Sequence, residues 1–97
     1  MAKKTQKELE KGIKKYHLKR KPLTMRQIRL AFNDAGILGD VDTAIAALSD
    51  SDRSVAEIEW SYGERVYRYD DWFVKMTKQM GVTPSKMDTI FYKGYDL

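Results

Sequence analysis

The sequence predicts an all-α fold: a small single-domain bundle of five or six short helices with a basic N-terminal helical arm. Three observations carry that expectation. Apolar residues recur at three- and four-residue spacing along most of the chain, as one buried helix face requires. Residues that start and stop helices punctuate the pattern at short intervals. One short stretch alternates with period two, and a lone strand has nothing to satisfy its backbone. A chain of 97 residues holds one domain. It buries about 60–65% of the surface its unfolded form exposes.

The arm comes first. Gln6, Lys7, Glu8, Leu9, Glu10 and Lys11 are good helix formers. Leu9, Ile13 and Tyr16 stand at i, i+4 and i+7, a narrow apolar stripe on a polar helix. Gly12 weakens that helix by about 1 kcal/mol relative to Ala. Lys21-Pro22 disfavours helix at residue 21, which sets the expected boundary: residues 1–21 as arm, 22–97 as compact helical domain, and 20–23 as linker.

Thr24 and Gln27 form a capping-box pair, and Met25, Ile28, Leu30, Ala31, Phe32 and Ala35 give the following helix a wide apolar face ending at Gly36. A second short helix is expected from about Asp40, with Val41, Ala44, Ile45 and Leu48 inward. Ser49 to Asp52 reads as a turn. The helix after it starts near Asp52 or Arg53 and is expected to carry Val55, Ile58 and Tyr62 inward, with Trp60 at the edge. Arg65 to Tyr69 is the alternating stretch. With no comparable second strand, residues 63–69 are expected to continue the helix or form an irregular connection. Asp70 or Asp71 begins a helix with Trp72, Phe73, Met76 and Met80 on one face, ended by Gly81. Thr83-Pro84 pairs an N-cap with Pro at the first helical position, and Met87, Ile90 and Phe91 face the core until Gly94.

Charge is split along the chain. Residues 1–29 carry eleven Lys/Arg against two Glu, a net +9, and residues 30–97 carry seven against twelve acids, a net −5. Blocks of one sign repel internally and act as solvated arms or interaction segments. The candidate partner-binding residues of the arm are Lys7, Lys11, Lys14, Lys15, Lys19, Arg20 and Lys21. Nucleic-acid phosphates, an anionic membrane surface, an acidic protein face or this protein's own acidic body all suit them. The body is dense in aromatic residues, most of which are expected in the core. Tyr67, Arg68 and Tyr69, with Tyr92 and Tyr95, are the candidate aromatic interface, since Tyr and Arg serve well as partly desolvated anchors.

The same residues exclude much chemistry. The chain has no Cys, so disulfides and thiolate-held metals are excluded, and the one His, His17, lies among lysines with no nucleophile and carboxylate beside it. Asp40/Asp42, Asp50/Asp52 and Asp70/Asp71 are acidic pairs, but Arg53 and Ser54 break any calcium-loop spacing after Asp50. All three pairs fall where helices begin, where negative charge is favourable. Gly36-Ile37-Leu38-Gly39 lacks the Lys-Ser/Thr that completes a phosphate loop. A helix-turn-helix over residues 24–48 fails on sign, because residues 30–52 contain no Lys or Arg. The expectation is therefore no enzyme, no metal, no cofactor and no small-molecule substrate. No apolar run is long enough for a membrane span, and no apolar segment follows the N-terminal lysines as a secretory signal requires.

A set of short runs carries a resemblance. They are Pro22-Leu23-Thr24-Met25-Arg26-Gln27-Ile28-Arg29-Leu30-Ala31, Ala35-Gly36-Ile37-Leu38, Val41-Asp42-Thr43-Ala44-Ile45-Ala46-Ala47-Leu48 and Ala56-Glu57-Ile58-Glu59-Trp60. Val66, Arg68, Gly81-Val82-Thr83 and Asp88-Thr89-Ile90-Phe91 follow. In order and spacing, the stretch from Leu23 to Phe91 resembles a small module of tailed-phage and prophage tail-region proteins. Tyr69-Asp70-Asp71 departs from it where a Ser/Pro break is expected, and the C-terminus is more aromatic. The resemblance implies a phage context, in the virion or the host cytoplasm, and a non-enzymatic role; it carries no site residues across. The leading expectation is a virion- or tail-associated structural or assembly protein that docks on other tail proteins or on its own copies. The alternatives are a small nucleic-acid-binding regulator using the arm, and a phage-encoded inhibitor of a host protein.

Overall fold

Two backbone segments far apart in sequence are stitched together at the base of the bundle. In a computed structural model, which describes residues 16–97, strand β1 (Leu23–Thr24) pairs antiparallel with β2 (Arg65–Val66), Leu23 opposite Val66 and Thr24 opposite Arg65. The Met25 N–H adds a further bond to the Glu64 carbonyl at 3.0 Å. Leu23 and Val66 are both fully buried. The expectation of continued helix or irregular chain at residues 63–69 is thus corrected at its centre. The missing strand partner is the stretch that reads as linker, and a two-residue bridge has no periodicity to betray it.

The rest is helical. The first helix is described over residues 16–20 (α1), followed by α2 (Met25–Asp34), a 3-10 turn (Leu38–Asp40), α3 (Val41–Ala46), α4 (Asp50–Tyr62), α5 (Asp71–Gln79) and α6 (Pro84–Gly94). The chain is the expected small all-α bundle, with the two-residue ladder as its one addition. Lys7, Lys11, Lys14 and Lys15 of the arm lie outside the described residues.

Local sequence explains the helix ends. The Thr24 hydroxyl accepts the Gln27 N–H at 3.1 Å while the Gln27 side chain accepts the Thr24 N–H at 2.9 Å, the reciprocal capping box. Thr83 Oγ1 accepts the Lys86 N–H, and Pro84 opens α6. Gly36 and Gly81 both sit at φ +74°, the left-handed cap that stops α2 and α5. The acidic pairs do lie at helix starts, but Asp40 and Asp70, in the N-cap positions of α3 and α5, accept no capping bond. Asp70 instead accepts the Tyr67 N–H at 3.1 Å, closing the turn between β2 and α5. α4 begins at Asp50, two or three residues earlier than its sequence suggests.

A ladder of rings crosses the core. Trp60 stacks on Phe32, Phe32 on Phe73, Phe73 meets Phe91 edge-on, and Phe91 meets Tyr95 edge-on, with centroids 5.8–6.1 Å apart. Such pairs are worth about 0.5–1.5 kcal/mol beyond their burial. The ladder links α4, α2, α5 and α6. Around it, Ile28, Val41, Met76 and Met87 are fully buried. Gly94 lets α6 close onto β1, since a Cβ there would lie 2.6 Å from Leu23 Cδ1.

One expected face is rotated. Val55, Ile58 and Tyr62, read as inward, are 49%, 58% and 83% exposed. α4 turns Ala56 and Trp60 inward instead. A small residue one turn before a large ring lets α4 approach α5 while the indole reaches Phe32. Arg29 then covers the outer face of Trp60, its guanidinium 5.1 Å from the ring and donating to the Trp60 carbonyl.

Candidate docking surfaces

The arm enters the body through its last turn. Leu18 is buried in the core. The Tyr95 hydroxyl lies 2.9 Å from the His17 carbonyl and 2.7 Å from the Lys21 carbonyl. A phenol has one proton, so the two carbonyls share it. His17 is half-buried, stacked on Tyr92 and edge-on to Tyr95 at 6.5 Å each. Burial of its hydroxyl, reinforced by Tyr92 and Tyr69, pushes the Tyr95 phenol up to about 12. Leu18 and the His17 and Lys21 carbonyls, all within the segment read as arm, are thus held by the body.

Lys19, Arg20 and Lys21 are exposed, followed by exposed Arg26 in the first turn of α2. Among the described residues none of the four is in an ion pair. Arg20 rests over Tyr16 at 5.0 Å and Lys21 over Tyr95 at 4.9 Å. These cations are held near aromatic faces with their charge still directed to solvent. They form the described end of the basic arm.

The five residues of the expected aromatic interface divide. Tyr67 and Tyr69 are exposed, flanking the turn after β2. Arg68, between them, is 4% exposed and points the other way. Its Nε donates to Asp88 Oδ1 at 2.7 Å and its second terminal nitrogen to the Pro84 carbonyl at 3.1 Å. Arg68 lies in the turn that follows β2, where its side chain is drawn inward by Asp88 and the Pro84 carbonyl while the tyrosines on either side stay at the surface. Arg68 ties the turn after β2 to α6. Tyr95 is committed to the arm joint just described, and Tyr92 is half-buried beside it.

Two shallow grooves accompany these surfaces. One of about 390 Å³ lies beside Tyr69, Val74, Val82 and Met87, with Arg68 at its wall and Lys78 at its rim. Another of about 310 Å³ separates α2 from α6 near Ala31, Ile90 and Leu97. Neither gathers the nucleophile, base and orienting group that covalent catalysis needs. Among the described residues no three His, Cys, Asp or Glu side chains converge on a common point, and no helix is long and apolar enough to cross a membrane.

The sequence reading overlooked the outer face of α4. Its apolar residues are Val55, Ile58 and Tyr62, and its helix carries Asp50, Asp52, Glu57 and Glu59 against Arg53, a net −3. Asp52 accepts from Lys75 at 3.0 Å, which together with Ser49 holds its carboxyl below the usual range. Lys75 also bonds Asp71, and the two carboxylates, Asp71 foremost, raise its ammonium. Arg53 pairs with Asp50. Glu57 and Glu59 make no ion pair among the described residues. The signal for this face was present: Ala56 and Trp60, one turn apart, compete for the inward position, and Trp60 has the larger ring.

Comparison with known proteins finds no matching family model, no matching curated protein and no matching solved structure.

Proposed function

We propose that the chain is a non-enzymatic docking protein of a tailed phage, a virion- or tail-associated structural or assembly component. The observation that carries this is the charge division, +9 over residues 1–29 against −5 over residues 30–97, joined to a body that anchors the arm's base through Leu18 and Tyr95. An anchored base fixes where the arm leaves the body, and complementary charge steers it onto an acidic face. The phage setting comes from the sequence resemblance alone. Tyr67 and Tyr69 supply a second, aromatic contact on the body.

The test is removal of residues 1–15, which spares Leu18 and the carbonyls that receive the Tyr95 hydroxyl. Truncation is expected to abolish incorporation into tail particles while the body stays helical by circular dichroism. Undiminished incorporation refutes the arm as the docking element.

The exposed Lys19, Arg20, Lys21 and Arg26 favour one second reading, in which the arm neutralises nucleic-acid phosphates. That reading predicts affinity falling with salt at a log–log slope of about −0.9 per phosphate contacted. Salt-independent or absent DNA binding removes it.

A further inference from the structure

The outer face of α4 is a helix surface built to be covered. Val55, Ile58 and Tyr62 stand at i, i+3 and i+7 and are each about half exposed or more. Isolated apolar residues on a surface are ordinary, but three on one stripe mark a contact site. Helical spacing continues the stripe through Ser51 and puts Ser54 and Ser61 along one side of it and Glu59 along the other, with Asp50 and Glu57 behind the serines. Small polar flanks admit a second helix closely, and the carboxylates select a basic one.

The chain contains a segment of matching design. Leu9, Ile13 and Tyr16 run from i to i+7, as Val55, Ile58 and Tyr62 do, and Lys7, Lys11, Lys14, Lys15, Lys19 and Arg20 surround them. Tyr16, the described end of that stripe, is 60% exposed. Within one chain α1 is held at α6, through Tyr92 and Tyr95, whereas α4 packs on α3 and α5 and begins the ring ladder at its other end. We infer that the outer face of α4 receives the basic segment of a second copy, residues 7–20, by helix-in-groove packing of the two apolar stripes with lysines over Glu57 and Glu59. The inference rests on the docking reading and names its acceptor. The contact is heterologous, arm to body, so it propagates head to tail or closes by exchange of arms.

Charge exchange tests it with the full chain. One variant carries Glu57→Lys and Glu59→Lys, a second carries Lys11→Glu and Lys14→Glu, and each is followed by sedimentation equilibrium across a dilution series. The wild type is expected to self-associate and each variant alone to stay monomeric. Their equimolar mixture is expected to associate again, because both cross-pairings are complementary: the native arm of the first variant on the native α4 of the second, and the acidic arm of the second on the basic α4 of the first. Ile58→Asp, at an exposed position that does not hold the fold, is expected to weaken self-association about ten- to hundredfold. Circular dichroism confirms that every variant is folded. A wild type monomeric at all concentrations overturns the inference, as does association untouched by the α4 substitutions or a mixture that stays monomeric. Those results leave the broader docking reading to its own test, incorporation into particles.

Discussion

Arg68 separates a structural role from a surface one, and its removal has a calculable cost. Arg68→Ala deletes the 2.7 Å bond to Asp88 and the 3.1 Å bond to the Pro84 carbonyl, and empties the space its stem fills. Breaking a buried ion pair by removing one partner costs about 3–5 kcal/mol when the other is stranded. Here the Asp88 side chain is 36% exposed, so water recovers part of its solvation. The expected loss is therefore nearer to 2–3 kcal/mol, on the order of a third of the stability of a domain this size. At about 4–8 °C per kcal/mol, the melting temperature falls by about 10–20 °C. Urea unfolding followed by circular dichroism measures the loss. Arg68→Met keeps much of the stem and isolates the charge, and a cycle with Asp88→Asn should return a coupling of about 1 kcal/mol or more. A loss below about 0.5 kcal/mol, the range of surface substitutions, would refute the buried role and return Arg68 to the interface.

Three further expectations follow from single contacts. Tyr95→Phe removes the hydroxyl shared by His17 and Lys21 and should cost about 1 kcal/mol at neutral pH. Because the folded phenol is raised to about 12 from an ordinary 10, it contributes stability that is complete below pH 10 and is lost as pH rises toward 12. Urea midpoints at either end of that window should fall for the wild type by more than for Tyr95→Phe; equal slopes contradict the assignment. Thr24→Ala breaks the capping box of α2 and should cost about 1 kcal/mol, whereas Thr24→Ser should retain most of it in thermal melts. Gly94→Ala pushes a methyl into Leu23 and should destabilise by about 1–3 kcal/mol, with Leu23→Val in the same chain recovering part of the loss.

The helical class was legible because the residues that enforce it act locally. Thr24 with Gln27, Thr83 with Pro84, and Gly36 and Gly81 each decide a helix end within a few residues, and the structure shows each doing so. The ladder of β1 and β2 was not legible as a pair: Arg65 to Tyr69 alternates, but its partner lies some forty residues away and is too short to show alternation of its own. α4 was misread for a different reason. Both of its stripes have helical spacing, and only the size of Trp60 and its stacking on Phe32 select Ala56 and Trp60 as the buried pair. Among the candidate interface residues, Tyr67, Arg68 and Tyr69 read as one surface. The turn after β2 sends Arg68 inward to Asp88 and the Pro84 carbonyl and leaves the tyrosines out. The clasp of Tyr95 on the arm depends on a contact across nearly the whole chain, which no local pattern announces.

Quantitative mass spectrometry of purified, salt-washed particles of a phage encoding the chain tests the docking claim most directly. A fixed ratio to the major tail proteins that survives the wash is the predicted result. Absence from particles, with the chain abundant in the infected cell, would contradict it.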